Sequence, residues 1–133
     1  MTLQVGVKAL SQNTQGEFLF LKRNPELYTD NNTQWDIPGG RIQADEYLLS
    51  GLEREIFEET GLHLKKSHAQ IIAAQDIFVT HKNIHVVRLT YIAAATGEIR
   101  LSEEHTNFAW MTKETALDSG VDPYVHNVLL DIK

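Results

Sequence analysis

Four glutamates, Glu53, Glu55, Glu58 and Glu59, fall within seven residues just before Thr60 and Gly61. Through the same stretch Leu48, Leu49, Leu52 and Ile56 recur at helical spacing. That pattern predicts a helix from about Glu46 to Thr60, N-capped by Asp45 and stopped by Gly61. On such a helix Glu55, Glu58 and Glu59 stand at i, i+3 and i+4 and share one face. Each like-charge pair costs roughly 0.2–0.5 kcal/mol. Anions in the last turn meet the negative end of the helix dipole, which costs about 0.3–1 kcal/mol per exposed charge. Arg54 can relieve only part of this. Local rules broken this often tend to mark a functional site. Carboxylate oxygens at this spacing suit a hard divalent cation, Mg²⁺ or Mn²⁺. A solvated acidic surface helix is the competing reading of these residues taken alone.

Other elements must position that helix. Leu3–Leu10 alternates and reads as a strand, "SQNTQG" as a turn, and Glu17–Arg23 as the second arm of a hairpin. Asn24–Gln34 is a polar loop, and "WDIPGGRI" is a short extended stretch with a turn at Pro38-Gly39-Gly40. "AQIIAAQDIFVT" and "IHVVRLTYIAAA" read as long strands joined at Lys82-Asn83, and "FAWM" as a short strand. Thr112 is placed to cap a short helix to Leu117, and Pro123 to open a last helix to about Asp131. Strands on both sides of one long helix predict an α+β fold, a mixed sheet with helices packed on it. Leu48, Leu49, Leu52 and Ile56 are assigned to the core. Gly51, in mid-helix, costs about 1 kcal/mol relative to Ala.

The chain has 133 residues, which suits a single domain spanning 1–133. There are no cysteines, so disulfides, zinc ribbons and thiol nucleophiles are excluded. A net charge of −6 argues against a nucleic acid polymer as partner, because such proteins usually carry a basic face. No apolar run reaches the ~20 residues of a membrane span, and the N-terminus lacks a signal-peptide pattern. A cytoplasmic protein without a membrane partner is the expectation, as a monomer or homodimer.

Gly40, Glu46 and the run Arg54-Glu55-Ile56-Phe57-Glu58-Glu59-Thr60-Gly61-Leu62 match the signature of the Nudix (MutT-like) hydrolases at every defined position. "WDIPGG" resembles the family's approach to that box. The resemblance implies an α/β/α sandwich with a mixed β-sheet, the box forming a loop–helix–loop. It implies hydrolysis of a nucleoside diphosphate linked to another group, with Mg²⁺ as cofactor and Mn²⁺ as a substitute. Carried over by residue, it makes Glu55, Glu58 and Glu59 the metal-binding face. Glu55 or a neighbour is the alternative base that activates water, with Arg54 orienting Glu55. Gly40, or Gly39 beside it, offers a backbone carbonyl to the metal. The chemistry is coherent: metal ions neutralise a diphosphate, acidify water and position it, and a spare carboxylate takes the proton.

Outside the box, Glu103 and Glu104 resemble the family's acidic loop, with Glu104 the better match for a further metal ligand or base. Solvated loop acids are the bland alternative. Resemblance places Arg23 near the substrate and gives Asn127 a contact with a nucleobase; a surface arginine is the plain reading of the first. Tyr28 is read as covering a sheet edge or stacking on a base. His81 and His85 read as ordinary strand-end histidines, and Trp35 and Trp110 as core or sheet-edge aromatics.

Three functions compete. The first is a pyrophosphohydrolase. The second is a catalytically weak Nudix-fold nucleotide-binding or regulatory module, which would tend to lose box carboxylates that this chain keeps. The third, an isopentenyl diphosphate isomerase, lacks its cysteine here. For the substrate, "QDIFVT" has no proline of the kind seen in ADP-ribose hydrolases. Phe78, Val79 and Thr80 stand where dinucleoside polyphosphate hydrolases show a tyrosine. The signatures of coenzyme A and NADH hydrolases are absent too. Elimination leaves a small-molecule (d)NTP or modified nucleotide.

Overall fold

Period-two alternation in the first two strands sorts their side chains between two cores. Strand β1 (Thr2–Gln12) sends Val7 and Ala9 to one side and Leu10 to the other, while β2 (Phe18–Arg23) sends Leu19 and Leu21 one way and Phe18 and Phe20 the other. The computed structural model describes residues 1–27 and 34–132, so Tyr28 lies outside the described residues.

Three further strands build the sheet's long arm. β7 (Ile84–Thr96) pairs in parallel with β1 from Thr2↔Ile84 to Gln12↔Ala94. β6 (Gln70–Val79) and the two-residue β5 (His63–Leu64) pair antiparallel with the other edge of β7. On the far side of β1 lie β4 (Gly39–Arg41) and β2, and β2 in turn carries β3 (Trp35–Asp36) and β8 (His105–Met111). The parallel β1–β7 pair within otherwise antiparallel partners makes the sheet mixed, as expected.

Helix α1 (Leu48–Thr60) closes one core with Leu52 and Ile56, both fully buried against Val7, Leu19, Leu21 and Tyr91. The other core is closed by α2 (Lys113–Leu117) and α3 (Pro123–Asp131) through Ala116, Val125, Val128 and Leu129. The layers are therefore helix, sheet, helix. Thr112 caps α2 by accepting from Thr115 N–H, and Asp122 caps α3 by accepting from Tyr124 and Val125 N–H.

Two expectations about α1 are corrected. The helix starts at Leu48, and Tyr47 is the N-cap residue, without a side-chain bond. Asp45 has φ +65°, whereas an N-cap needs extended backbone, so it cannot cap. Leu48, expected in the core, is 38% exposed. It opens the helix, outside the buried stripe of Gly51, Leu52, Ile56, Glu59 and Thr60. Gly51 has its reason: a Cβ there would overlap Ile42 Cδ1 and crowd Glu46 Oε1 at 2.8 Å. Gly61 ends the helix in the left-handed region at φ 74°, its N–H donating to Phe57 O.

Candidate active site

Arg54 answers the charge problem posed by the sequence. Its guanidinium forks onto Glu46, Nε to Oε2 at 2.7 Å and Nη2 to Oε1 at 3.0 Å. Nη1 donates to Glu55 Oε1 at 2.9 Å and reaches Glu58 at 3.4 Å. Nη2 also bonds the Arg41 carbonyl at 3.1 Å. One cation thus joins three box carboxylates and ties the loop before α1 to the helix. The Glu46 carboxylate, gripped by Arg54 and by the N–H of Gln43, is held far below its usual range. Its acidity favours the bidentate pair that fixes Arg54, a role that sequence reasoning did not assign to it.

Glu59 turns inward. It is 7% exposed, and its Oε1 accepts from Gly39 N–H at 2.8 Å. Burial pushes its pKa from 4.5 up to about 8, with Glu104 and Glu55 adding repulsion against the opposing pull of Lys8 and the Gly39 N–H. Gly39 and Gly40 leave room for these contacts. Gly39 has φ +150° and a Cβ there would overlap the β1 backbone at Val7. A Cβ on Gly40 would overlap the Glu55 carboxylate.

The segment after β7 brings the remaining acids over the end of α1. Arg100 N–H donates to Thr60 O at 2.7 Å, Ser102 N–H to Glu59 O at 3.2 Å, and Asn24 N–H to Glu104 O at 2.9 Å. The result is a cleft of about 220 Å³ lined by Glu55, Glu58, Glu59, Ser102, Glu103 and Glu104. A larger cleft of about 640 Å³, near Asn13, Lys65 and His68, contains no acidic residue and shares nothing with it. Donor chemistry, not size, identifies the site.

Ligand atoms of Glu59, Glu104 and His105 all lie within 4.8 Å of one another. The sequence reading does not single out His105; a histidine entering a strand directly after Glu104 is the available signal. It is 8% exposed, and burial, then Lys8, lower its pKa to about 4, so the ring is neutral at pH 7.

Arg23 is not a surface residue. It is 8% exposed, and Nη2 donates to Asp36 at 2.6 Å and to Asp122 at 3.3 Å. Lys8 Nζ joins Asp36 at 3.0 Å, and Arg88 lies 3.6 Å from Asp122. Burial opposes ionisation of Asp36, but Lys8, Arg23 and Arg88 overcome it and hold its pKa well below the usual range. This ionic layer lies behind the cleft: Lys8 acts electrostatically on both Glu59 and His105. Asn127 is exposed on α3 and does not line the cleft. His85 bonds Asp76 at 2.8 Å and stacks on Phe78, away from the acids. The structure thus brings Glu55, Glu58, Glu59, Glu104, Arg54, Gly39 and Gly40 together and leaves Asn127 apart.

Residues 2–129 match the NUDIX domain family. The chain belongs to the Nudix hydrolase family. It is 27% identical to a MutT-like protein of Streptomyces ambofaciens, over 94% of this chain and 74% of that one. It is 26% identical to Nudix hydrolase 5 of Arabidopsis thaliana over 93% of this chain, but spans only 40% of that protein's length. The crystal structure of a MutT protein from Methanosarcina mazei Go1 superposes with a TM-score of 0.81 at 26% identity, covering 97% of this chain and 91% of the other. No helix among the described residues is long and apolar enough to cross a membrane.

Proposed function

We propose that this chain is a divalent-metal-dependent hydrolase that cleaves a pyrophosphate bond in a nucleoside diphosphate linked to another group. The favoured substrate is a (d)NTP or a modified nucleotide. The observation that carries this reading is the convergence of Glu55, Glu58, Glu59 and Glu104 on one cleft. With Glu103 beside them, five glutamates line that cleft; in their charged form they repel one another and any phosphate, and a cation between them removes that repulsion. The donors fit: carboxylate oxygens suit Mg²⁺ or Mn²⁺, and Glu59 and Glu104 bring ligand atoms within 4.8 Å of each other.

Glu59 and Glu104 would hold the ion, with Glu55, Glu58 and the Gly40 carbonyl as further proposed oxygen ligands. When bound, the ion supplies neutralisation of phosphate charge and acidification of water. The chain's own residues do the rest. Arg54 fixes Glu55 at 2.9 Å, so that carboxylate keeps one orientation. Glu55 or Glu58, both lining the cleft, accepts the proton of the attacking water. Arg23 acts here from behind the site, holding Asp36 rather than a phosphate; Asn127 keeps its proposed nucleobase contact only if substrate extends to α3.

Partial matches support an anhydride of a nucleotide without choosing one. An RNA pyrophosphohydrolase of Psychrobacter is 32% identical over 59% of this chain, and the nucleoside triphosphatase NudI of Escherichia coli is 28% identical over 61%. The test is a nucleotide panel, including a 5′-triphosphorylated RNA, assayed with Mg²⁺ or Mn²⁺ for release of phosphate or pyrophosphate. Turnover of a small nucleotide in preference to RNA supports the reading. Tight nucleotide binding with no turnover of any member favours the regulatory-module alternative.

A further inference from the structure

Beside the two acidic ligands sits a nitrogen donor that oxygen-only coordination leaves unused. His105 opens β8 opposite Arg23, where the β2–β8 register shifts, and the strand's start sets its ring against the end of α1. One of its ring nitrogens lies within 4.8 Å of carboxylate oxygens of both Glu59 and Glu104. His105 is only 8% exposed, yet its Nδ1 has no hydrogen-bond partner. Buried polar atoms are nearly always paired, so an orphan at a cluster of ligand atoms calls for an explanation. The charged groups acting on the ring from neighbouring elements are Lys8, Arg23 and Asp36, and Nδ1 has a hydrogen bond to none of them. The cation held by Glu59 and Glu104 would lie within reach of a ring nitrogen as well as of both carboxylates.

We propose that His105 ligates the catalytic cation through an imidazole nitrogen, giving a mixed nitrogen–oxygen site that selects first-row transition ions over Mg²⁺. This rests on the acidic cleft being the metal site. Mg²⁺ is hard and keeps oxygen ligands, including several waters, whereas imidazole suits Co²⁺, Ni²⁺, Fe²⁺ and Zn²⁺. One nitrogen in the set therefore discriminates between ions that an all-oxygen set would separate less.

The purified wild-type chain, saturated with Mn²⁺, tests this by electron spin-echo spectroscopy, which detects ¹⁴N coupled to the bound ion. The expected result is nitrogen modulation that disappears in His105→Gln while that variant still binds Mn²⁺. Competition against bound Mn²⁺ should show Co²⁺ preferred over Mg²⁺ by at least about 100-fold in the wild type, falling by tenfold or more in His105→Gln. Saturated wild type without nitrogen modulation, or modulation that persists in His105→Gln, overturns the assignment. The spectrum of the wild type alone decides the matter if the variant fails to fold. Mn²⁺ binding with turnover but without ¹⁴N coupling removes this inference and leaves the proposed function standing; no Mn²⁺ binding at all removes both.

Discussion

Replacing Glu59 by Gln should stabilise the metal-free protein at alkaline pH and deprive it of stabilisation by metal. The Glu59 carboxyl is buried, and its pKa rises from 4.5 to about 8 in the folded chain. Between those values the folded state keeps a proton that the unfolded chain has lost. Stability of the metal-free wild type therefore falls as pH rises through that window, and the whole loss is present above about pH 8. At 1.36 kcal/mol per pKa unit, the rise sets a ceiling of about 5 kcal/mol. Relaxation and water entry at an open cleft reduce this to an expected ~1–3 kcal/mol. Gln cannot ionise, and its carbonyl can still accept the Gly39 N–H that Glu59 accepts at 2.8 Å. The assay is thermal unfolding in EDTA at pH 5 and pH 9 at one ionic strength. Histidines and other groups titrate in both proteins and largely cancel in the difference. At roughly 2–8 °C per kcal/mol, the variant should lead by several degrees at pH 9 and by much less at pH 5. Mn²⁺ at about 100 times its Kd then adds roughly 2.7 kcal/mol to the wild type and far less to the variant. A wild-type Tm as indifferent to pH as the variant's would refute the buried-carboxylate argument.

Other perturbations separate scaffold from chemistry. Leu52→Ala should cost about 2–5 kcal/mol in denaturant unfolding, because Leu52 is fully buried between α1 and the sheet, with activity tracking folded protein. Gly51→Ala should destabilise, against the ~1 kcal/mol that helix propensity favours, because its Cβ meets Ile42 and Glu46; a raised Tm would contradict this packing. Arg54→Lys keeps the charge but loses the fork onto Glu46 and the hold on Glu55, and kcat should fall by about 10–100-fold at nearly unchanged KM. Glu58→Gln should lower kcat by about 100-fold or more, the scale of a lost proton-transfer or charge-stabilising group, while leaving Tm close to wild type because Glu58 is largely exposed.

What could be read in advance was local. The 3.6-residue period of Leu52 and Ile56 gave α1, Gly61 its end, and Thr112 and Pro123 the starts of α2 and α3. Glu55, Glu58 and Glu59 line one cleft, as their i, i+3 and i+4 spacing on the helix predicts. What was illegible depends on contacts between distant parts of the chain. The two-residue strands β3 and β5 exist only because β2 and β7 offer them partners. Arg23 is drawn inside by Asp36 and by Asp122, 99 residues away, and no pattern around Arg23 announces either. Asp45 failed as a cap because its backbone turns to positive φ while Glu46 and Arg54 organise the helix entrance. His105 needed the fold to place it against Glu59, 46 positions earlier in the chain.

If this acidic cleft hydrolyses a nucleotide anhydride with a bound divalent ion, water oxygen enters the product only when the ion is present. The most direct measurement is ³¹P NMR of a nucleoside triphosphate incubated in H₂¹⁸O with the wild type plus Mn²⁺, the wild type in excess EDTA, and Glu59→Gln plus Mn²⁺. Expected are ¹⁸O-labelled products in the first sample, none in the second, and at least about 100-fold slower release in the third. Undiminished release in EDTA, or wild-type release by Glu59→Gln, would contradict it.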